Sequence, residues 1–121
     1  MALAGTPDMR EVLAASDERS RLAVDVYVHR LRAGIAAMAA SLGGLDLLVF
    51  TGGVGENAHV IRSKSVAGLR FLGAALEDSA NANVGQADAD VTAAEADAHV
   101  VVVHAREDIQ IARDVAAVLA R

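Results

Sequence analysis

A glycine-rich segment near the middle of the chain has the composition of a phosphate-binding loop. It reads Gly52-Gly53-Val54-Gly55-Glu56-Asn57, follows the short apolar run 45–51, and precedes a helical pattern that begins near residue 58. Glycines allow a backbone to approach a ligand closely, and the N-terminus of a helix attracts anions. A tight structural turn has a similar composition, but the order of strand, glycines and helix favours an anion site.

The same glycines also fit a dinucleotide-binding fingerprint. In that interpretation Gly53-x-Gly55-x-x-Ala58 approaches a pyrophosphate, and Glu77, about 20 residues further on, binds a ribose. Two features count against it. The fingerprint commonly opens its domain, whereas a long helical region precedes it here, and Glu56 would face the pyrophosphate without a cation. A nucleotide that binds as a magnesium complex removes the second difficulty.

The remaining chemically capable groups show no catalytic or metal-binding spacing. The four histidines, at positions 29, 59, 99 and 104, form no ligand set, and isolated histidines are more often structural. No Ser/His/Asp arrangement indicates a hydrolase. The chain contains no cysteine, which excludes thiol chemistry and disulfides and fits a reducing compartment.

Composition and charge narrow the classes of partner. The net charge is −5 and the 11 basic residues are scattered, which argues against a nucleic-acid partner. No apolar run is long enough to span a bilayer, and no signal segment opens the sequence. At 54% hydrophobic, the 121 residues suit one small folded domain or part of a larger one. We therefore expect a cytoplasmic domain with no membrane partner.

Helical and strand-like segments alternate along the chain, which predicts an α/β fold. A first helix is expected after a cap at Thr6 or Asp8, and Gly43 should end the long second helix. The predicted helices run to residue 15 and over 17–42, 58–69 and 106–121. The predicted strands cover 45–51, 71–76 and 99–104, and the first of them is expected to be buried and parallel to its neighbour. Residues 77–95 are expected to form a surface excursion with a weak strand near Val91. The second helix places six apolar residues on one face: Val24, Val28, Leu31, Ile35, Met38 and Leu42. The last helix is expected to face inward with Ile111, Ala112, Val115, Val118 and Leu119.

Three ordered motifs resemble the acetate kinase family, within the acetate and sugar kinase/Hsp70/actin superfamily. Residues 48–57 are similar to its C-terminal nucleotide loop, residues 5–10 to its Gly-x-Ser-Asp-x-Arg segment, and residues 106–114 to its closing Asn-Glu-Glu-x-x-Ile-Ala-Arg-Asp segment. Residues 68–73 are a further similar stretch, so the resemblance covers essentially the whole chain. It implies a ribonuclease H-like (actin-like ATPase) C-terminal domain portion, with a short, mostly parallel sheet flanked by helices.

The resemblance also implies roles for particular residues. Those expected to bind the nucleotide are Asp8, Met9, Arg10, Gly53, Val54, Gly55, Glu56 and Asn57, and Glu107 is expected to associate with Mg²⁺. Taken alone, Arg10 would be a solvated charge and Glu107 an acid that favours a helix start. Pro7 and Arg106 depart from the family, which often has Ser and Asn there. No catalytic residue is expected in this chain, because the family's catalytic arginines, histidine and aspartate lie upstream.

The activity implied by the resemblance is transfer of the γ-phosphoryl group of ATP to acetate, which gives acetyl phosphate and ADP. Residues 1–121 are then expected to be the C-terminal nucleotide-binding portion of a kinase, without its N-terminal domain and inactive alone. The resemblance also implies that the kinase forms a homodimer through its C-terminal domain. The chain does not separate acetate from propionate or butyrate. Two alternatives remain open: a dinucleotide-binding oxidoreductase module that uses Glu77, and a non-catalytic domain that dimerises through the 24–42 face.

Overall fold

The computed structural model describes residues 3–120, which form six helices, three strands and one short 3₁₀ turn. The helices are α1 (Met9–Ala14), α2 (Glu18–Leu42), α3 (Gly52–Asn57), α4 (His59–Ala67), α5 (Asp78–Ala82) and α6 (Glu107–Leu119). The strands are β1 (Leu47–Phe50), β2 (Ala89–Asp90) and β3 (His99–Val102), and the 3₁₀ turn covers Arg70–Leu72. The predicted α/β class is confirmed.

The sheet is small and mixed, with the strand order β1-β3-β2. β1 and β3 are parallel, with Leu47 opposite His99 and Phe50 opposite Val102. β2 runs antiparallel to β3 and pairs through two residues only. The expected parallel pairing therefore accounts for the longer of the two ladders, and an antiparallel edge strand completes the sheet.

Two expectations about strands were wrong. Residues 71–76 do not form a strand: Arg70–Leu72 is a 3₁₀ turn, Gly73 follows at φ +83°, and only Ala74 and Leu76 make isolated bridges to the sheet region. β1 was expected to be a buried strand, but Leu47 and Val49 are 52% and 45% exposed. Successive side chains of a strand point to opposite faces, and helices of this chain cover one face only.

Two apolar clusters hold the fold together. The sheet core lies around β1 and β3 and contains Phe50, Val66, Leu69, Ala74, Val91, Ala98, Val100 and Val102. The helix core lies between α1, α2 and α4 and contains Val12, Val24, Val28, Ala58 and Ile61. α4 contributes to both clusters, so it connects the long helix α2 to the sheet.

α2 begins and ends where the sequence predicts, but its buried face shifts along its length. Gly43 adopts φ +79° and ends the helix, as expected. Val24 and Val28 are buried, whereas Met38 is 61% exposed and Ala39 takes the buried position in the last turns. Met38 and Leu42 share the apolar face with Val24 and Val28 but are exposed, because the contacts with α1 and α4 cover the earlier part of the helix.

The closing helix α6 does not pack inward. Every residue from Ala105 to Ala120 is exposed, including Ile111, Val115, Val118 and Leu119, so the expectation of a buried face was wrong. Arg121, the last residue of the predicted helix, lies outside the described residues. Across residues 3–120, no helix combines the length and apolar character that a membrane crossing requires.

Candidate functional site

The glycine motif and the segment before α6 lie at the same edge of the sheet. β1 and β3 are adjacent and parallel, so their carboxyl ends meet there. Thr51 and Gly52 follow β1, while Val103 and His104 follow β3, and the Val103 amide donates to the Phe50 carbonyl at 2.9 Å. Ligands of open α/β sheets commonly bind outside the carboxyl ends of strands. Two of the three predicted motifs are thereby brought together.

The glycine segment folds as the six-residue helix α3 rather than as the expected open loop. Gly52 begins it at φ +76°, a left-handed value that favours glycine. Thr51 precedes the helix, and its side chain makes no capping hydrogen bond among the described residues. Ala58 then departs from helical geometry, at φ −103° and ψ +77°, and separates α3 from α4.

The glycines of α3 differ in what the fold demands of them. A Cβ at Gly55 would lie 3.3 Å from the carbonyl carbon of Phe50, so glycine lets α3 pack closely on the end of β1. Glycine is needed at position 52 because the backbone there has a left-handed φ of +76°. Gly53 has an ordinary φ, and in the described part of the chain a Cβ there would lie within 4 Å of no atom outside its two chain neighbours and the backbone of α3. Neither backbone angle nor internal packing explains the glycine at position 53.

Glu56 points back into the protein and joins the two segments at this edge. Its Oε1 accepts hydrogen bonds from the amides of Gly52 and Ala105, both at 2.8 Å, and its Oε2 lies 3.0 Å from His104 Nδ1. The side chain is only 14% exposed. The hydrogen bond from the Ala105 amide is the largest influence that lowers the pKa of this carboxyl, and the His104 and Gly52 contacts add to it. A role of Glu56 in nucleotide binding stays a prediction.

His104 and Asp88 fix the chain between β3 and α6. His104 Nε2 lies 3.0 Å and 3.1 Å from the carbonyl oxygens of Gly85 and Ala87. Asp88 accepts from the His104 amide at 2.9 Å and pairs with Arg106 at 3.0 Å. The His104 amide and then Arg106 lower the pKa of Asp88. Arg106, one of the two departures from the family motif, is thus paired with a carboxylate.

Arg62 holds α3, α4 and α5 together from inside the protein. It is 1% exposed, and its guanidinium donates to the carbonyls of Gly55 and Glu56 at 2.8 and 2.9 Å. It also donates to Asn81, at 2.7 Å to Oδ1 and 2.8 Å to the carbonyl. The last carbonyls of a helix lack intrahelical partners and carry partial negative charge. Burial lowers the pKa of Arg62, since it disfavours the charged form.

The Asp-x-Arg motif lies at the start of α1, where Asp8 caps the helix. Asp8 accepts from the Arg10 amide at 2.9 Å and pairs with the Arg10 guanidinium at 2.7 Å, and this pairing lowers the pKa of Asp8. The Arg10 side chain is 88% exposed. Met9 and Val54 both pack against the helix core. The motif therefore shares that core with the glycine segment.

Asn57 and Glu107 are both exposed. Asn57 donates from Nδ2 to the Gly53 carbonyl at 2.9 Å, which closes the last turn of α3. Glu107 is the first residue of α6, two positions after the Ala105 amide that Glu56 holds. Among residues 3–120, no group of three or more His, Asp or Glu side chains is arranged to hold a metal. Mg²⁺ commonly takes one or two carboxylates together with water and phosphate oxygens, so one exposed carboxylate beside a bound phosphate fits it.

Sequence patterns did not identify three residues that organise this edge of the sheet, namely Arg62, Asn81 and His104. Arg62 and Asn81 are 19 positions apart, and only the folded chain shows that they meet. A weak signal existed, since Arg62 and Ser65 lie on the same buried side of α4 as Ile61 and Val66. His104 was set aside with the other histidines, yet both of its ring nitrogens make contacts.

Comparison with known proteins agrees with the resemblance seen in the motifs. A model of the Acetokinase family matches residues 1–113. An acetate kinase from Gloeobacter violaceus is 52% identical over 110 residues, which cover 88% of this chain and 27% of that protein. One from Protochlamydia amoebophila is 42% identical over 111 residues, which cover 92% of this chain and 28% of that protein. The chain thus spans about a quarter of the length of these relatives.

Solved structures show the same relationship. The crystal structure of an acetate kinase from Porphyromonas gingivalis superposes with a TM-score of 0.85 at 34% identity, covering 97% of this chain and 30% of that one. A propionate kinase from Francisella tularensis superposes with a TM-score of 0.79 at 31% identity, covering 90% and 28%. From its motifs, its fold and the family match over residues 1–113, the chain belongs to the acetokinase family.

Proposed function

We propose that this chain forms the nucleotide-binding side of a kinase that transfers the γ-phosphoryl group of ATP to acetate, giving acetyl phosphate and ADP. Membership of the acetokinase family supports the reaction class, and the relatives at 52% and 42% identity are acetate kinases. Within such a kinase, residues 1–121 make up the C-terminal portion. We further propose that the kinase is cytoplasmic and homodimeric.

The observation that carries this proposal is the glycine at position 53. Gly52 and Gly55 have structural reasons to be glycine, whereas the side-chain position of Gly53 is open. A missing side chain that the fold does not require is explained if a ligand approaches the backbone there. The proposed nucleotide therefore lies against the exposed side of α3, with Val54, Gly55, Glu56 and Asn57 shaping the segment that it contacts.

Two further motifs complete the proposed site. Asp8 and Met9 place Arg10 at the start of α1, where its exposed guanidinium can exchange part of its pairing with Asp8 for phosphate oxygens. Glu107, at the start of α6, would hold Mg²⁺ through its carboxylate. When bound, Mg²⁺ neutralises charge on the phosphate oxygens. The residues of this chain would bind and orient the nucleotide.

The first experiment measures Mg·ATP binding by calorimetry with matched glycine variants. Gly53→Ala should weaken binding about tenfold or more, because its methyl group enters the space that the ligand needs. Gly34→Ala is the control, since Gly34 also lies in a helix with open space at its Cβ position. Both variants should keep or slightly raise the unfolding midpoint, because alanine favours helices over glycine.

Three results would contradict the proposed binding mode. They are an unchanged affinity in Gly53→Ala, an equal loss in Gly34→Ala, and no heat from Mg·ATP with the unmodified chain. Including NAD in the same series tests the oxidoreductase alternative. The structure weakens that alternative, because Glu77 caps α5 by accepting from the amides of Ser79 and Ala80, and no strand leads into it.

The second experiment concerns the reaction itself. We expect no acetyl phosphate from this chain alone in a hydroxamate assay, because none of its residues matches the arginines, histidine and aspartate to which the resemblance assigns the chemistry. Turnover above the blank would contradict this. With an active full-length kinase that contains this chain, acetate and propionate should be compared side by side, since one structural neighbour is a propionate kinase.

The burial of α2 limits the part of this helix that could join two copies of the chain. Val24 and Val28 are buried within this chain, so the 24–42 face is not free as a whole, and Met38 and Leu42 are its exposed members. Light scattering of the chain and of a Met38→Lys variant measures whether this end of α2 joins two copies. Equal masses for both would remove the end of α2 from the proposed dimer contact.

A further inference from the structure

One oxygen atom of Glu56 accepts hydrogen bonds from two parts of the chain that are distant in sequence. These are the amide of Gly52, the first residue of α3, and the amide of Ala105, two residues before α6 begins, both at 2.8 Å. α3 follows β1, and α6 follows β3. The Glu56 carboxylate therefore connects the two segments that follow the parallel strands β1 and β3.

The other carboxylate oxygen of Glu56, Oε2, contacts His104, which is itself held by further hydrogen bonds. His104 contacts Glu56 Oε2 with one ring nitrogen and the carbonyls of Gly85 and Ala87 with the other. The His104 amide donates to Asp88, which also pairs with Arg106. The residue that Glu56 holds, Ala105, is thus flanked on both sides by residues with fixed partners.

We propose that Glu56 is a positioning residue that sets the place of the start of α3 relative to the start of α6. Only a side chain of this length, with an acceptor atom at its end, meets both amides at once while it remains nearly buried. The effect of this positioning on nucleotide binding rests on the proposed function. If α3 contacts the nucleotide and Glu107 associates with Mg²⁺, Glu56 fixes the position of these two contacts relative to each other.

The test follows the two amides by nuclear magnetic resonance of the ¹⁵N-labelled 121-residue chain. During acid titration, the Gly52 and Ala105 amide signals should move with one shared midpoint, equal to that of the Glu56 carboxyl carbon. Glu56→Gln keeps an acceptor oxygen but removes the titrating group, so the shared transition should disappear while the fold remains. Two different midpoints in the unmodified chain, or a shared transition that survives in Glu56→Gln, would overturn the proposal.

Hydrogen exchange separates positioning from general stabilisation. Glu56→Ala should speed exchange of the Gly52 and Ala105 amides about tenfold or more, with unchanged protection of the amides of Val91 and Val100 in the sheet core. Faster exchange at all four amides would indicate a merely structural role and would also overturn the proposal. Glu95→Ala is the control, because Glu95 is an exposed acid whose ion pair among residues 3–120 is with Arg70 at 3.5 Å.

Mg·ATP affinity then distinguishes this proposal from the proposed function. If the unmodified chain binds Mg·ATP, Glu56→Ala should weaken binding about tenfold, while Glu95→Ala should leave it unchanged. Unaltered affinity in Glu56→Ala would contradict positioning of the nucleotide segment. If the unmodified chain binds no nucleotide, the proposed binding function fails, and the shared titration of Gly52 and Ala105 alone decides whether Glu56 positions the two helices.

Discussion

Arg62 carries a buried positive charge whose hydrogen-bond partners are uncharged oxygen atoms. It donates to two carbonyls at the end of α3, and to the side chain and carbonyl of Asn81. Asn81 in turn donates to the His59 carbonyl and to Ser63 Oγ, at 3.0 and 2.9 Å. Removal of the guanidinium would leave several buried acceptors without a donor, which is costly in a protein interior.

At this scale we expect Arg62→Met to destabilise the chain on the order of 3 kcal/mol, because buried acceptors lose their donors. Arg62→Lys should fall between Met and Arg, since one ammonium cannot reproduce a planar fork of donors. Urea unfolding followed by circular dichroism measures the change. Arg70→Met is the control, because Arg70 is 68% exposed and should alter stability by no more than about 0.5 kcal/mol. An unfolding midpoint for Arg62→Met equal to the control's would contradict the assigned role.

Residue types with local roles were predictable, and those with long-range partners were not. The cap at Asp8 and the stop at Gly43 follow from preferences that act within a few residues. The role of Glu56 depends on Ala105, which approaches only when β1 and β3 pair. The motif resemblance indicated that Glu56 belongs to a site, but only the fold shows the direction of its carboxylate.

At the scale of elements, α2 has a well-defined start. Asp17 caps it, accepting from the Ser20 amide at 3.0 Å and from the Ser20 hydroxyl at 2.7 Å. These hydrogen bonds, with the side-chain bond as the largest cause, lower the pKa of Asp17 below its ordinary value of 3.8. A carboxyl with a lowered pKa in the folded state stabilises the fold above its unfolded pKa, and this contribution is lost as the pH falls through the folded value.

Asp17→Ala should therefore lower the thermal midpoint by a few degrees at pH 7, and the difference from the unmodified chain should shrink as the pH falls below about 3.8. Asp17→Asn should retain much of the capping, because asparagine is also a good N-cap. Thermal unfolding at a series of pH values checks both. A difference that stays constant down to the lowest pH would contradict the role of the charged cap.

The glycine helix α3 shows how tertiary contacts override local preference. Glycine is a poor helix former, so an open loop was the natural expectation for residues 52–57. Three contacts favour the helix instead: Glu56 accepts from the amide of Gly52, Asn57 donates to the carbonyl of Gly53, and Arg62 binds the last carbonyls. The sequence predicted the place of this element correctly but not its conformation.

At the scale of the whole molecule, apolar periodicity predicted helix faces without showing whether anything covers them. The face of α2 is buried where α1 and α4 contact it, and the face of α6 is exposed throughout the described residues. Periodicity reports only that a face is apolar, and burial depends on the neighbours that the chain supplies. For the same reason, β1 was expected to be a buried strand, and only the side that carries Leu48 and Phe50 is covered.

Because the sheet core is buried and α6 is exposed, a Val→Ala substitution should reduce the free energy of unfolding by very different amounts in the two places. Val100→Ala, in the sheet core at 0% exposure, should destabilise the chain by roughly 2 kcal/mol. Val118→Ala, at 67% exposure on α6, should change stability by about 0.5 kcal/mol or less. Chemical unfolding measures both. Equal costs would mean that α6 packs against the rest of this chain in solution.

β1 is an edge strand of the sheet, and this affects how the isolated chain behaves in solution. β1 ends the sheet order β1-β3-β2, and its four residues, Leu47-Leu48-Val49-Phe50, carry no charge and no proline. Natural sheets commonly protect such an edge with a charge, a proline or a bulge, because its unpaired backbone groups can template another strand. We expect the purified chain to aggregate in a concentration-dependent manner through edge-to-edge strand addition, starting at β1.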